Sequence, residues 1–382
     1  MFRSYTSRLY RWRGDLYDLD GSDRLFRKAL KENVRFHLRH NREYRKLTSR
    51  FRDAGTPVPV PAALFKSRPL WTIPPAFLPF LLTSSGTGGK KSILGFCFSD
   101  MLRGARMTLA LTRHHEILSW KPARYLILGF EPDRNNRTMI SRTQRITSWF
   151  APPVSRVYGL RSGHGRFRPD FLSIVSHLEA FSKGPFPVRI IGFPSYVFFL
   201  LCFLEQHGIR CALPRGSMVL LGGGWKGYEE NEVSRDILYE KLQKILDIPE
   251  SSCREFFGAA EHPALYCACP NRHFHVPFYS RARIRDAVTL KPLGYGQPGL
   301  LELITPLARA MPLASILTGD MAVLHRGSSC GCGISSPYFE LLGRAESLPG
   351  KTCSADAAEL LKHQSCMLHT DMPSGGKGGI CP

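Results

Sequence analysis

The sequence predicts an α/β protein: a mostly parallel sheet flanked by helices, joined to a smaller β-rich lobe. Between about residues 120 and 225, short apolar runs that end in glycine alternate with helical stretches, the rhythm of βαβ units. Beyond 275 the texture changes to short β-like segments, "HFHVPFYSRARIRD", "GLLELITP" and "ASILTGDMAVLH", which predict an antiparallel or barrel-like lobe. The 382 residues, 43% apolar and 22% charged, suffice for one large core and one or two smaller units.

Taken in chain order, residues 1–55 read as a basic helical segment. "SDRLFRKALKENVRFHLRHNREYRKLTSRF" sets Leu25, Phe26, Leu30, Val34 and Leu38 at helical spacing, with Ser22 or Asp23 as the start signal and the arginines on a solvated face. "DAGTPVPVPAALF" is a proline-rich connector into a core expected over 56–340. Within that core "RYLILGF" (124–130) and "VRIIGF" (188–193) read as strands. After Pro194, "SYVFFLLCFLEQHG" reads as a buried helix with proline in its first turn and Gly208 as C-cap. "IRCAL" and "MVLLGGGW" follow as strands, and "NEVSRDILYEKLQKILDIP" as a polar amphipathic helix. The β-rich part spans about 275–340. A short C-terminal lobe over 341–370 and a glycine-rich tail over 371–382 complete the chain.

The 52 Lys and Arg against 31 Asp and Glu leave a net charge of +21, a surface that attracts anions without choosing among nucleotides, acidic proteins, nucleic acid and membrane. The start "MFRSYTSRLYRWRGDLYDL" has no apolar signal core or cleavage site. The longest apolar stretch, "RIIGFPSYVFFLLCFLEQHG", carries Gly192 and Pro194 and reaches Glu205 too early to span a bilayer. A cytoplasmic protein with no membrane span is expected. Eleven cysteines without a signal favour free thiols, a metal site or a reactive cysteine over a disulfide framework.

Two clusters carry chemistry on their own. In "TSSGTGGKKS" (83–92), Gly86, Gly88 and Gly89 free backbone amides to approach an anion. Thr83, Ser84, Ser85 and Thr87 add hydroxyls, and Lys90 or Lys91 adds charge. The spacing is not that of a Walker loop, and a solvent-exposed linker is the alternative. Cys267, Cys269, His273 and His275, with Cys330 and Cys332 as a second pair, have the residue types of a discontinuous Zn2+ site. Their spacings are C-x-C and H-x-H, which place alternate residues on one face of a strand; packed thiols and surface histidines are the alternative.

Further stretches, in order, resemble the adenylate-forming enzymes. "TSSGTGGKKS" resembles their phosphate loop, and "FFGAAEHP" (256–263) their aromatic–Gly–x–x–Glu segment. "ILTGDMAVL" (316–324) resembles the ribose-gripping segment, and "LLGRAESLPGK" (341–351) the Gly-Arg hinge. "PVPAALFKS", "LGGGWKG" (221–227), "EHPALYCACPNRHFHVP" (261–277), "CGCG" (330–333) and "GKTCSADAAELL" (350–361) are similar to the acyl-protein synthetases of bacterial bioluminescence, the LuxE family, in the phenylacetate-CoA-ligase-like branch. The likeness runs from about 55 to 362 and implies an adenylate-forming fold with a truncated C-terminal lobe. It implies ATP bound by Thr83 to Lys90, Gly223, Gly224, Glu261, His262, Asp320 and Arg344. Mg2+ would sit on Glu261, and Lys226 would touch the substrate carboxylate or a phosphate. Gly88 stands where the family has a second threonine, and Ala260 where it has Thr or Ser; both departures remove hydroxyls from the phosphate side.

The implied activity is that of a ligase which activates a long-chain fatty acid as acyl-AMP and transfers it to its own cysteine. Cys353 is the first candidate, since it follows Lys351 and precedes a helical "SADAAELL" whose N-terminus lowers a thiol pKa; Cys366 is the second, with Cys381 also in the tail. The implied partners are a LuxC-like, NADPH-dependent acyl reductase and an acyl-transferase or acyl carrier protein. Two other readings stay open: an acyl- or aryl-CoA ligase of the phenylacetate type, and a non-catalytic basic anion- or nucleic-acid-binding protein on the same scaffold.

Overall fold

A strand covered on both faces reads as a nearly continuous apolar run, and three such runs, interrupted only by Arg124 and Arg189, lie side by side at the centre of the molecule. Ala123–Phe130, Val188–Gly192 and Met218–Gly222 are parallel neighbours and nearly all their residues are buried. The computed structural model describes residues 4–49, 57–84, 92–131, 139–163, 166–225, 228 and 232–344. Among these, Pro153–Gly163 extends the sheet in parallel on one side and Cys253–Ala259 on the other. Arg166–Pro169 and His262–Cys267 close its two edges antiparallel.

Helices fill the crossovers. Pro194–Gln206 begins on its proline, buries Tyr196, Leu200, Leu201 and Leu204, and is followed by Gly208 at φ +66°. Arg235–Leu246 is capped by Ser234 and buries Leu238, Leu242 and Ile245 in the same core. "IRCAL" is not a strand. The Cys211 and Leu213 amides donate to the Ile245 and Leu246 carbonyls, so the segment satisfies the open end of that helix.

The β-rich part is a mainly antiparallel sheet in the order Phe274–His275, Tyr338–Arg344, Ser315–His325, Pro298–Ile304, Arg281–Arg285 and Pro292–Leu293. Val60–Pro61 joins it parallel to Ser315–His325, pairing Val60 with Ile316. A second core, containing Tyr125, Ile191, Tyr266, Leu303 and Phe339, links the two sheets. A third holds the hairpin Phe80–Thr83/Ile93–Phe96 against Val60, Phe65 and Ile316.

The N-terminal helices Tyr5–Leu9, Leu19–His40 and Arg42–Thr48 are built into this body. Leu9, Phe26 and Ala29 lie in the second core and Tyr44 in the third. The long helix starts earlier than expected, on Asp18, whose carboxylate accepts from the Gly21 amide at 2.8 Å. Its buried row is Phe26, Ala29, Asn33 and His37, while Leu25, Leu30, Val34 and Leu38 are half-buried. Asn33 donates to the Pro306 and Ala308 carbonyls at 3.2 and 2.6 Å. The same turn is held from the other side by Asp100, which is buried, pairs with Arg103 at 2.8 Å and accepts the Arg309 and Ala310 amides.

His37 bonds Thr72 at 2.8 Å and the Ala308 carbonyl at 3.2 Å through its two ring nitrogens, and burial holds its pKa down to about 4. The folded state therefore keeps it neutral, whereas the unfolded chain binds a proton below about pH 6.5. More protons on the unfolded side mean that stability is lost as pH falls through that window. The urea unfolding free energy should drop between about pH 6.5 and 4, and His37→Gln should remove a slope of up to about 1.4 kcal/mol per pH unit. An unchanged slope in the variant contradicts this assignment.

Candidate functional site

Ligands of parallel α/β sheets bind beyond the carboxyl ends of the strands, and three stretches singled out in the sequence lie at that edge. Met218–Gly222 leads into Gly223 and Gly224, which take φ of +89° and +67°. A Cβ at Gly223 would lie 2.4 Å from the Phe193 ring, at the end of the neighbouring Val188–Gly192 strand, so only glycine lets the chain turn there. Cys253–Ala259 leads into Ala260 and Glu261, and His262 opens the return strand. Ala260 packs against the core that contains Leu82, Leu94 and Ile316.

The hairpin Phe80–Thr83/Ile93–Phe96 brings the neck of the glycine-rich stretch to the same place. Thr83 pairs with Ile93 in its ladder. The Ser84 amide donates to the Ser92 carbonyl at 3.0 Å, and the Ser92 amide to Ser84 Oγ at 2.9 Å. Ser92 Oγ then donates to Glu261 Oε1 at 2.6 Å, the short distance of a charge-assisted bond. Ser84, Ser92 and Glu261 are all buried. Ser85, Gly86, Thr87, Gly88, Gly89 and Lys90 lie outside the described residues, as do Lys226, Cys353 and Cys366. The part of the motif that is described nevertheless joins it to the predicted carboxylate 169 positions away.

The donor set at this junction is carboxylate and hydroxyl oxygen, hard ligands that fit Mg2+. His262 is buried beside it. Its Nε2 lies 2.9 Å from Tyr266 Oη, and Tyr266 bonds Ser280 at 2.5 Å. His262 Nδ1 has no partner among the described residues, and burial pulls the ring's pKa down to about 3, so it stays neutral at physiological pH.

Asp320 and Arg344 are cross-strand partners on Ser315–His325 and Tyr338–Arg344. Arg344 Nε lies 3.1 Å from Asp320 Oδ1, and Nη1 donates to the Thr318 carbonyl at 3.2 Å. Gly319, at φ +81°, makes the bend before Asp320. The strand carrying Asp320 packs against the one that begins at His262.

Cys269, His275, Cys330 and Cys332 converge at a second place, their ligand atoms all within 4.8 Å of one another. His273 stands outside that group: Nδ1 lies 3.1 Å from Cys330 Sγ and Nε2 3.1 Å from Glu340. Cys267 is buried on its own, with the Ala268 carbonyl as its hydrogen-bond partner.

Ser92 is the residue that reading by motif passed over, although it closes the quoted loop. Its signal lies in the hairpin: the residue that ends a glycine-rich excursion returns beside the one that began it. "PVPAALFKS" acquires a structural role, since Val60 and Pro61 pair with the strand that bears Asp320.

The family model described as "Acyl-protein synthetase, LuxE" matches residues 15–361. A long-chain-fatty-acid–luciferin-component ligase of Vibrio harveyi is 24% identical over 355 residues, covering 90% of each chain. Its namesake in Aliivibrio fischeri is 25% identical over 350 residues, covering 88% of each. An open conformation of 2-hydroxyisobutyryl-CoA ligase, solved with 2-HIB-AMP and CoA, superposes with a TM-score of 0.64 at 13% identity. That match covers 87% of this chain and 77% of the other, and it shows the adenylate-forming fold.

Ser92→Ala would leave the buried Glu261 carboxylate short of its charge-assisted bond. Urea denaturation should show a loss of about 1.5–3 kcal/mol, and a change below about 0.5 kcal/mol would mean that the bond does not organise the junction.

Proposed function

The chain belongs to the acyl-protein synthetase family LuxE, and on that premise we propose that it activates a long-chain fatty acid with ATP and loads it onto its own cysteine. The observation that supports this most is the Ser84–Ser92–Glu261 junction. A carboxylate is a poor acyl donor because its leaving group would be oxide. Attack of a fatty-acid carboxylate oxygen on the α-phosphorus of ATP breaks the bond to the β-phosphate bridge and releases pyrophosphate, leaving an acyl-AMP with a good leaving group. Mg2+ held at Glu261 would neutralise phosphate charge that develops during the attack. The chain's own part is positioning and electrostatics: glycine amides at Gly86, Gly88 and Gly89, charge at Lys90 and Lys226, and turn amides at Gly223 and Gly224. Asp320 would accept from the ribose hydroxyls, with Arg344 orienting its carboxylate; the 3.1 Å pair supports that assignment. His262, neutral and fixed by Tyr266, would present Nδ1 toward the nucleotide.

In the second step a thiolate attacks the acyl carbonyl, the carbon–sulfur bond forms, and the bond to phosphate breaks to release AMP. Cys353 is the proposed acceptor and Cys366 its alternative. Burial pushes Cys253 up to about 12 and raises Cys97, Cys202, Cys211 and Cys267, which disfavours these five as the acceptor thiolate. The acyl group would then pass to an NADPH-dependent acyl reductase, where hydride addition to the thioester releases the thiol and yields an aldehyde. An acyl-transferase or acyl carrier protein is the proposed source of the fatty acid. No helix among the described residues is long and apolar enough to cross a membrane.

The test is intact mass after incubation with ATP, Mg2+ and tetradecanoic acid. One acyl group should appear, hydroxylamine should remove it, and Cys353→Ser should abolish it. A gain that survives Cys353→Ser moves the acceptor to Cys366. Acyl-CoA formed from free CoA, with no adduct on the protein, contradicts self-acylation and supports the CoA-ligase reading.

A further inference from the structure

Cys269 and Cys330 are 61 positions apart in the chain and His275 and Cys332 57, yet the ligand atoms of all four share a single small volume. Cys269 Sγ and Cys330 Sγ are 3.6 Å apart, and Cys332 Sγ is 3.3 Å from His275 Nε2. With Zn–S near 2.3 Å and Zn–N near 2.0 Å, the edges of a tetrahedral site measure about 3.5–3.8 Å. Three of the four residues are buried and the fourth is half-buried.

The surroundings are built for ligation. His275 Nδ1 lies 2.7 Å from the Ser336 carbonyl, which makes it the protonated nitrogen and turns the Nε2 lone pair toward Cys332. Gly331 takes φ +76° and Gly333 φ +87°, so the chain reverses within "CGCG" and brings Cys330 and Cys332 to the same volume. Asn271 Nδ2 donates to the Cys330 carbonyl, and the Cys269 amide to the His273 carbonyl, which fixes the facing turn. His273 Nδ1 lies 3.1 Å from Cys330 Sγ, outside the group of four.

We propose that these four residues form a structural zinc site that clips the Glu261 hairpin to the strands carrying Asp320 and Arg344. Cys269 follows the strand that begins at His262, and His275 ends the short strand paired with Tyr338–Arg344. Cys330 and Cys332 lie in the turn between Ser315–His325 and Tyr338–Arg344. Three thiolates, one imidazole and no position left for water describe a closed structural site, not a catalytic one. The ion would therefore hold the ATP-site strands in register without taking part in the chemistry.

The experiment uses the full chain, purified without metal-affinity resin. Elemental analysis should find one zinc per chain, and replacement by Co2+ should give the visible bands of tetrahedral cobalt with thiolate charge transfer. Cys330→Ser and Cys332→Ser should lose the metal, while Cys202→Ser keeps it. Cys332→His should retain cobalt with weaker charge transfer, which tests the site even if a serine variant fails to fold. Chelation should lower the Tm by at least about 5 °C. A metal-free protein with no cobalt spectrum overturns the proposal. So does zinc retained in both serine variants, or a mass lower by two hydrogens that maps to a Cys269–Cys330 disulfide.

Discussion

A carboxylate removed from water has to be partnered, and Glu261 meets that requirement through the hydroxyl of Ser92. The bond ties the end of a small hairpin to the edge of the central sheet. With it in place, Ser84 and Ser92 lie beside the carboxyl ends of parallel strands. Those ends already hold the positive-φ glycines and a neutral buried histidine. Without it the hairpin and the strand end that carries Glu261 would be separate pieces of surface.

The third core sets that bond's geometry. Leu82 and Leu94 of the hairpin, Val60 of the added strand and Ile316 of the Asp320 strand form one apolar cluster, and Ala260 packs on it. Ala260 thus has a packing role next to the carboxylate it precedes. The 306–310 turn, gripped by Asn33 and His37 on one side and Asp100 on the other, fixes where this cluster meets the N-terminal helices. Polar side chains buried by one turn's backbone groups connect the chain's first fifty residues to the site.

That burial also explains where the sequence misleads. An apolar row at Leu25, Leu30, Val34 and Leu38 is visible in the letters, but the Pro306 and Ala308 carbonyls demand donors and draw Asn33 and His37 inward. Likewise "IRCAL" has the composition of a strand and serves the end of a helix, because the carbonyls of Ile245 and Leu246 need its amides. The central strands were legible because burial on both faces leaves a nearly continuous apolar run. Glu261, Asp320 and Arg344 rest on motif order in the sequence; spacing alone does not show that Asp320 and Arg344 become cross-strand partners. The Cys/His group was half legible, since C-x-C and H-x-H do not show that two turns meet, and His273 falls outside the tetrad with its Nε2 3.1 Å from Glu340.

If the Ser92–Glu261 junction is the adenylation centre, exchange of pyrophosphate into ATP reports it without involving any cysteine. Wild-type protein should catalyse fatty-acid-dependent exchange in the presence of Mg2+, and Glu261→Gln, still folded, should lose it by about 100-fold. Exchange at the wild-type rate in Glu261→Gln, or no exchange by the wild-type protein, would contradict the assignment of adenylation to this junction.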